Sequence, residues 1–469
     1  MIGVIILLNF IVFFRTLRYS TVIDDNCRRF HEKDVPKNWF IKFYHITRYS
    51  GYGGFTTQVD HLITLLLHTT VCIMIYLIFG RSPVSLVTAL LFSIHPVNNQ
   101  TSIWLNGKRY AVITILTLLM WFFKPYGIFF YLLTPMWHYG AMPAIILYAL
   151  KYNWVIWVGV LLIIAFHKNI LEKVGTRWER MPHGELKIAR PRKLVILIKM
   201  IGYVFLHCLL PRRMSFWHVF MERFGFSDED NKYWYSFNKD FYIGLGVTSG
   251  LAWLIYFNWD NPIGFGLFWW VIFVLPWCQF PIGVTQAISE RVYYLPNVGL
   301  CYALGYFLTE MPYSEYTITA IFTYYLVKLW FYMPAYKNVD EFYRYALNEF
   351  PDQFRARGHL VRRYLEEQRL FYALRDAGLG LKITPKDCTL NLLMVQALMS
   401  LGAFGMAKGY LDKAEKCMIP GQETNFKRDI EKFRFIIDDR IKNPNQPPVE
   451  RIKPGEVFEI SPSQICGGR

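Results

Sequence analysis

The stretch Ile2-Gly-Val-Ile-Ile-Leu-Leu-Asn-Phe-Ile-Val-Phe-Phe14 carries one polar side chain, Asn9, in thirteen residues. Arg15 ends it, and Thr21-Val-Ile-Asp-Asp-Asn26 follows. The first stretch reads as a membrane span, retained because no small-residue cleavage signature comes after it. The paired carboxylates Asp24 and Asp25 then stand a few residues beyond a span. Such placement is costly, and it invites a functional reading. A solvated loop pair or a helix cap is the plain alternative.

The rest of the chain repeats this alternation of apolar run and polar corner. Of 469 residues, 54% are hydrophobic and 18% aromatic. Charged residues make up only 18%, against roughly 25% in a soluble domain. The runs lack period-2 alternation, which argues against a membrane barrel. The expected fold is therefore all-α: a polytopic helical membrane region over 1–333, with about 11 spans. They are expected near 1–14, 61–79, 84–95, 109–123, 127–149, 154–166, 194–210, 241–257, 263–280, 293–309 and 315–333. Several fall short of the about 20 residues that a 30 Å hydrocarbon core asks for.

The net charge of +16 fits basic residues meeting anionic headgroups at the span ends better than it fits nucleic acid, for which no motif is present. The segment 167–193 holds eight basic and three acidic side chains. The positive-inside rule places it in the cytoplasm. With an odd number of spans, the loop over 15–60 that bears Asp24 and Asp25 then lies on the outer or luminal face, and so does the C-terminal tail. Bacterial inner membrane and endoplasmic reticulum both suit this topology. Within the loop, Asn38-Trp-Phe-Ile-Lys-Phe-Tyr-His45 is amphipathic and predicts a helix lying in the interface. The eight cysteines are scattered, and none forms a Cys-x-x-Cys pair of the metal-binding kind.

From Pro334 the character changes. Pro351, Pro385 and Pro420 each end an amphipathic stretch, 34 and 35 residues apart. That period is the tetratricopeptide one, in which helix pairs bury their apolar faces by stacking on neighbours. Leu392, Leu393, Val395, Ala397, Leu398 and Leu401 fit one such helix, and Ala407, Tyr410, Leu411 and Ala414 the next. Repeats are thus expected over 334–442, with a Pro-rich polar extension over 443–469.

Three later corners carry chemistry-bearing side chains. Phe92-Ser-Ile-His-Pro-Val-Asn-Asn-Gln-Thr-Ser-Ile-Trp-Leu-Asn-Gly-Lys-Arg-Tyr110 offers His95, Lys108 and Arg109 among amides. Cations beside amides suit a phosphate; a membrane-edge anchor is the plain alternative. Pro211-Arg-Arg-Met-Ser215 adds Arg212 and Arg213, which also suit lipid headgroups. Ser289-Glu-Arg-Val-Tyr-Tyr-Leu-Pro-Asn-Val-Gly299 places Glu290 and Arg291 at the mouth of a span. There an internal ion pair would serve equally well. Acids in the first outer loop and cations in later outer corners together could hold a lipid-linked phosphate, with an acceptor hydroxyl arriving from outside.

The order of these features resembles a family. Asp24-Asp25 after the first span, His95-Pro96-Val97 leading to Trp104 and Gly107-Lys108, Glu290-Arg291-Val292-Tyr293-Tyr294-Leu295-Pro296, and then tetratricopeptide repeats look like the membrane protein O-mannosyltransferases that combine transmembrane and tetratricopeptide segments. These belong to the GT-C class of glycosyltransferases, and the likeness runs over most of the chain. It implies a polyprenyl- or dolichyl-phosphate sugar as donor, typically mannose, and inverting transfer to a protein Ser or Thr on the outer or luminal face. It implies Asp24 as base with Asp25 in support; Glu290 and Arg291 match directly, and Lys108 and Arg109 follow the glycine. The corners themselves put Glu290 in the catalytic group and His95, Lys108, Arg109, Arg291, Arg212 and Arg213 around the donor phosphate. A divalent cation between the two carboxylates is left open. The sequence departs from the family at Gln100, where a Glu is usual, at Tyr110 in place of an Asp, and at Lys108 in place of an Arg. The Lys-Glu pair usual in the fifth span is not evident, although His138 stands nearby. These departures keep a second reading alive, a non-catalytic scaffold of the same fold that binds a partner protein through its repeats. A transporter fits less well, since few ionisable residues beyond Lys199 fall near span centres.

Overall fold

The computed structural model describes residues 1–20, 22, 38–48, 56–123, 126–137, 141, 143–151, 190–215, 236–278, 289–351, 353–417 and 423–443. Asp24 and Asp25, the span expected at 154–166 and the extension over 444–469 lie outside these residues. The described residues are helical and contain no strand. The described residues divide into two compact units between Val339 and Asp340.

The first unit contains α1 (Ile2–Phe13), α2 (Trp39–Arg48), α3 (Thr57–Ile78), α4 (Pro83–Ile94), the short α5 (Asn99–Ile103), α6 (Lys108–Phe122), α7 (Ile128–Trp137), α8 (Ala144–Lys151), α9 (Arg190–Leu209), α10 (Lys239–Phe257), α11 (Pro262–Val274), α12 (Tyr294–Glu310) and α13 (Ser314–Tyr332). Short 3-10 turns at Pro96–Asn98, Leu105–Gly107, Glu290–Tyr293 and Met333–Tyr336 shape the polar corners. The boundary falls a few residues later than the sequence predicts. The 3-10 turn after α13 belongs to the first unit, because Tyr336 is buried against Tyr332 and the Lys337 carbonyl accepts from both Ser20 N and Ser20 Oγ.

The helix starts are written into the chain. Thr56 caps α3 by accepting from Val59 N. Ser82 and Ser85 form a capping box in front of Pro83, satisfying amides that the first turn leaves without partners. Asn261 accepts from Ile263 N and Gly264 N, with Pro262 at the first helical position. One expectation is corrected: the run 127–149 is not one helix, since α7 ends at Trp137 and α8 begins at Ala144, directly after Pro143.

α3 and α10 are long and apolar enough to cross a membrane, and α4, Leu194–Leu209 of α9 and Pro262–Cys278 are shorter apolar helices. The outer faces of α1, α10 and α13 expose large apolar side chains, among them Leu7, Ile11, Ile243, Trp253, Trp330 and Phe331. The most extensive helix contact joins α11 to α12. A Cβ on Gly299 would stand 2.7 Å from the Trp269 Cβ and run into the Gly266 carbonyl, and one on Gly266 would run into the Gly299 carbonyl. Two facing glycines therefore let the backbones touch, a packing mode that suits helices with little hydrophobic drive between them.

The second unit holds α15 (Phe354–Glu366), α16 (Leu370–Ile383), α17 (Cys388–Ser400), α18 (Phe404–Lys416) and α19 (Glu423–Lys442), following α14 (Val339–Glu349). The starts of α15, α17 and α19 fall 34 and 35 residues apart, and those of α16 and α18 are 34 apart. The period seen in the prolines is thus a period of helical hairpins. α17 is buried over most of its surface and packs on both α16 and α18. Asp387 caps it, with Oδ1 2.7 Å from Leu390 N. Leu401, expected on the core face of α17, is instead 54% exposed, because the helix ends at Ser400 and Leu401 sits on its cap.

Candidate functional site

The three polar corners of the first unit meet at Glu290. Its carboxylate is fully buried. Gln100 Nε2 donates to Oε2 at 3.1 Å, Tyr332 Oη donates to Oε2 at 3.0 Å, and the Ser215 amide donates to Oε1 at 2.8 Å. His207 Nε2 lies 3.6 Å from Oε1. The partners come from α5, α13, the chain just past α9, and α9 itself. A buried carboxylate must have its acceptor positions filled, and here α5, α13 and the chain past α9 each donate to it.

Gln100 is the hub on the other side. Its Nε2 also donates to the Ser215 carbonyl at 3.0 Å. Its Oε1 accepts from the Arg291 amide at 3.1 Å and from Ser289 Oγ at 3.2 Å. An amide is suited to this position because it donates on one side and accepts on the other. A carboxylate there could accept from Arg291 and Ser289 but could not donate to Glu290. Gln100 thus has a local reason in this chain.

The Arg291 guanidinium donates to Ser289 Oγ at 2.6 Å and lies over the Trp104 ring, 5.2 Å from its centre. His95 follows the last turn of α4. Its Nδ1 accepts from Val97 N at 3.3 Å, and its ring packs on Tyr325 at 4.5 Å. The corner is braced further inside. Asn297 Nδ2 donates to Asn98 Oδ1 at 3.0 Å, and Asn98 Nδ2 donates to the Phe92 carbonyl at 2.7 Å.

Lys108, expected to face a phosphate, is buried at the start of α6 with its ammonium 2.7 Å from Asp60 Oδ1. Gly107 makes this possible, since a Cβ there would stand 2.8 Å from the Gln100 carbonyl oxygen and from Thr101 Cα. Arg109 turns aside and lies over the Tyr110 ring at 5.1 Å. Arg212 and Arg213 are exposed. Their backbone is held to α13, where Lys328 Nζ donates to the Arg212 carbonyl at 2.6 Å and Tyr324 Oη donates to the Pro211 carbonyl at 3.0 Å.

The structure therefore brings Glu290, Arg291, Gln100 and Ser215 into one network and sets Lys108 in a second, joined to the first through α5. Asp60, His207, Ser215 and Tyr332 were not singled out from the sequence. For Asp60 a signal existed, a carboxylate one turn into a long apolar helix; for the others there was none, since their neighbours are distant in the chain. Among the described residues no group of three or more His, Cys, Asp or Glu side chains is arranged to hold a metal.

Compared with protein-family models, curated proteins and solved structures, the chain matches none.

Proposed function

We propose that this protein is a polytopic membrane glycosyltransferase that moves a hexose from a polyprenyl- or dolichyl-phosphate donor to a protein Ser or Thr hydroxyl, with inversion. The observation that carries the reading is the convergence on Glu290 of the polar corners at 95–108, 211–215 and 289–291. Corners that served only as separate membrane-edge anchors would have no reason to share one buried network. The exposed apolar faces of α1, α10 and α13 support a lipid-embedded first unit. The multi-pass topology, with the first loop and the repeats on the outer or luminal side, is part of the same proposal.

In this mechanism the acceptor hydroxyl gives its proton to Asp24, supported by Asp25, and its oxygen attacks the anomeric carbon. The bond from that carbon to the phosphate oxygen breaks, and the lipid phosphate leaves with the electron pair. Cations at Lys108, Arg109, Arg291 and the Arg212–Arg213 corner stabilise the developing charge, commonly the largest contribution in such transfers. Glu290, whose oxygens already accept from Gln100, Ser215 and Tyr332, organises the corners rather than moving protons. The 34-residue hairpins of the second unit offer a surface for the acceptor protein.

Transfer of labelled sugar from lipid-phosphate donors in proteoliposomes tests the proposal. Wild type transfers, and Asp24→Asn reduces the rate by about a hundredfold or more, the usual worth of a general base, while the protein still folds. Full activity in that variant would remove Asp24 as base. The same assay with and without a chelator decides whether a divalent cation takes part.

A specific observation favours a second reading, that of a non-catalytic scaffold. Glu290 and Lys108 both have partners within the protein. The absence of transfer from mannosyl, glucosyl and N-acetylhexosaminyl donors would put that reading ahead, and capture of a partner by the repeats would then test it.

A further inference from the structure

In the second unit, α16 shows the solvent a face of apolar and cationic side chains. Phe371, Arg375, Leu379 and Lys382 are exposed and recur at helical spacing, so they share one side of the helix. Phe371 is 75% exposed, and Tyr372 and Leu379 stand out beside it. Arg369 and Arg375 flank the Tyr372 ring, their guanidinium carbons 4.5 and 5.3 Å from its centre. The one acid of α16, Asp376, is 4% exposed, with Arg357 and Arg375 each 3.1 Å from it. The acids that precede the helix, Glu366 and Glu367, are held by Arg363 and Arg369. Exposure by itself does not single this face out. Phe435 on α19 is 77% exposed, but it shares its surface with Glu431, Asp438 and Asp439, a setting that repels a negatively charged surface. On α16 every exposed charge is positive.

We infer that α16 docks on an anionic lipid surface, with Phe371, Tyr372 and Leu379 in the headgroup boundary and Arg369, Arg375 and Lys382 on the lipid phosphates. This rests on reading the first unit as lipid-embedded. Aromatic rings with a polar or cationic companion suit that boundary. A helix face of this make-up binds through buried apolar area together with attraction to anionic lipid. A second copy of the chain meeting this face with its own α16 would instead set three cations against three. The chain itself supplies the proximity. Only residues 333–338 separate α13 from α14. With α13 in the bilayer, the second unit begins within a few residues of the lipid, and weak contacts suffice at the effective concentration such a tether gives.

The test places the photoreactive residue p-benzoylphenylalanine at Phe371 in the full chain, and at Phe435 in a control. The proteins are irradiated in nanodiscs of phosphatidylcholine, with and without phosphatidylglycerol, and their adducts are identified by mass. With phosphatidylglycerol present, position 371 is expected to give lipid adducts at about tenfold the yield of position 435, and without it few. Each cation near such a surface is worth about fivefold in binding, so Arg375→Gln/Lys382→Gln is expected to lower the yield about tenfold or more. Arg357 still opposes Asp376 in that variant, so the fold is kept. Equal yields at the two positions, equal yields in the two lipid mixtures, or adducts to protein in place of lipid overturn the inference. A chain that does not enter nanodiscs sinks the lipid-embedded reading; the same proteins mixed with vesicles of the two compositions then decide the docking face. Sugar transfer is scored apart, and its absence sinks the glycosyltransferase reading while leaving the docking face standing.

Discussion

Changing Gln100 to Glu is expected to destabilise the first unit by about 3–5 kcal/mol, the cost of an uncompensated buried charge. The new carboxylate would stand where Gln100 Nε2 now donates to Glu290 Oε2 at 3.1 Å and to the Ser215 carbonyl at 3.0 Å. Both donations vanish, and two carboxylates share one site from which water is excluded. Such a pair retains a proton that neither group would hold in the unfolded chain. The folded state then binds more protons than the unfolded state. The defect is therefore smallest under acidic conditions and grows as pH rises through the range where the shared proton is lost. Thermal unfolding followed by tryptophan fluorescence in nanodiscs at pH 5 and pH 8 reads this directly. Adding Glu290→Gln restores a donor on the opposite side, so the double variant is expected to recover part of the loss, a coupling that a double-mutant cycle measures. Equal stability of Gln100→Glu and wild type at pH 8 would show that the network is not held as the hydrogen bonds describe.

The second large effect is expected at the α11–α12 crossing. Gly299→Leu puts a branched side chain where even a Cβ meets Trp269 Cβ at 2.7 Å and the Gly266 carbonyl. Backbone cannot give way as a flexible side chain does, so the helices must separate. The cost is about 3 kcal/mol, the upper end for overpacking a core. The damage does not stay local. α12 continues directly from the 3-10 turn that carries Glu290 and Arg291, and its Leu295 carbonyl accepts from Trp269 Nε1 at 3.0 Å. Moving α12 therefore moves the site. Gly250→Leu on α10 is the control, because a Cβ there meets nothing within 4 Å. Size-exclusion profiles in detergent should show loss of folded protein for Gly299→Leu and none for Gly250→Leu. Comparable behaviour of the two variants would mean that the glycine contact does not hold the helices together.

The sequence disclosed most of the framework. Apolar runs without alternation foretold helices and no strands. The prolines are spaced 34 and 35 residues apart, and the structure starts α15, α17 and α19 at intervals of 34 and 35. These are local signals, since helix caps, breakers and periodic faces are set by neighbours a few residues apart. The corners at 95–108, 211–215 and 289–291 were legible for the same reason, as polar side chains clustered between apolar runs.

Their wiring was not legible. Gln100 meets Glu290 across 190 residues of chain, Ser215 meets it across 75, and Lys108 finds Asp60 across 48. Read in sequence, Lys108 was a cation for a phosphate and Glu290 a carboxylate for chemistry. In the structure the first has a carboxylate partner and the second is the centre of a hydrogen-bonded network. Which buried charge opposes which depends on the packing of helices remote in the chain, and desolvation makes that choice decisive, because a group removed from water must take whatever partner the fold brings to it. The sequence by itself determined the all-helical framework, the repeat period and the residues supplied to each corner. Only the tertiary structure decided which of those residues are joined, since their partners lie beyond the reach of any local pattern.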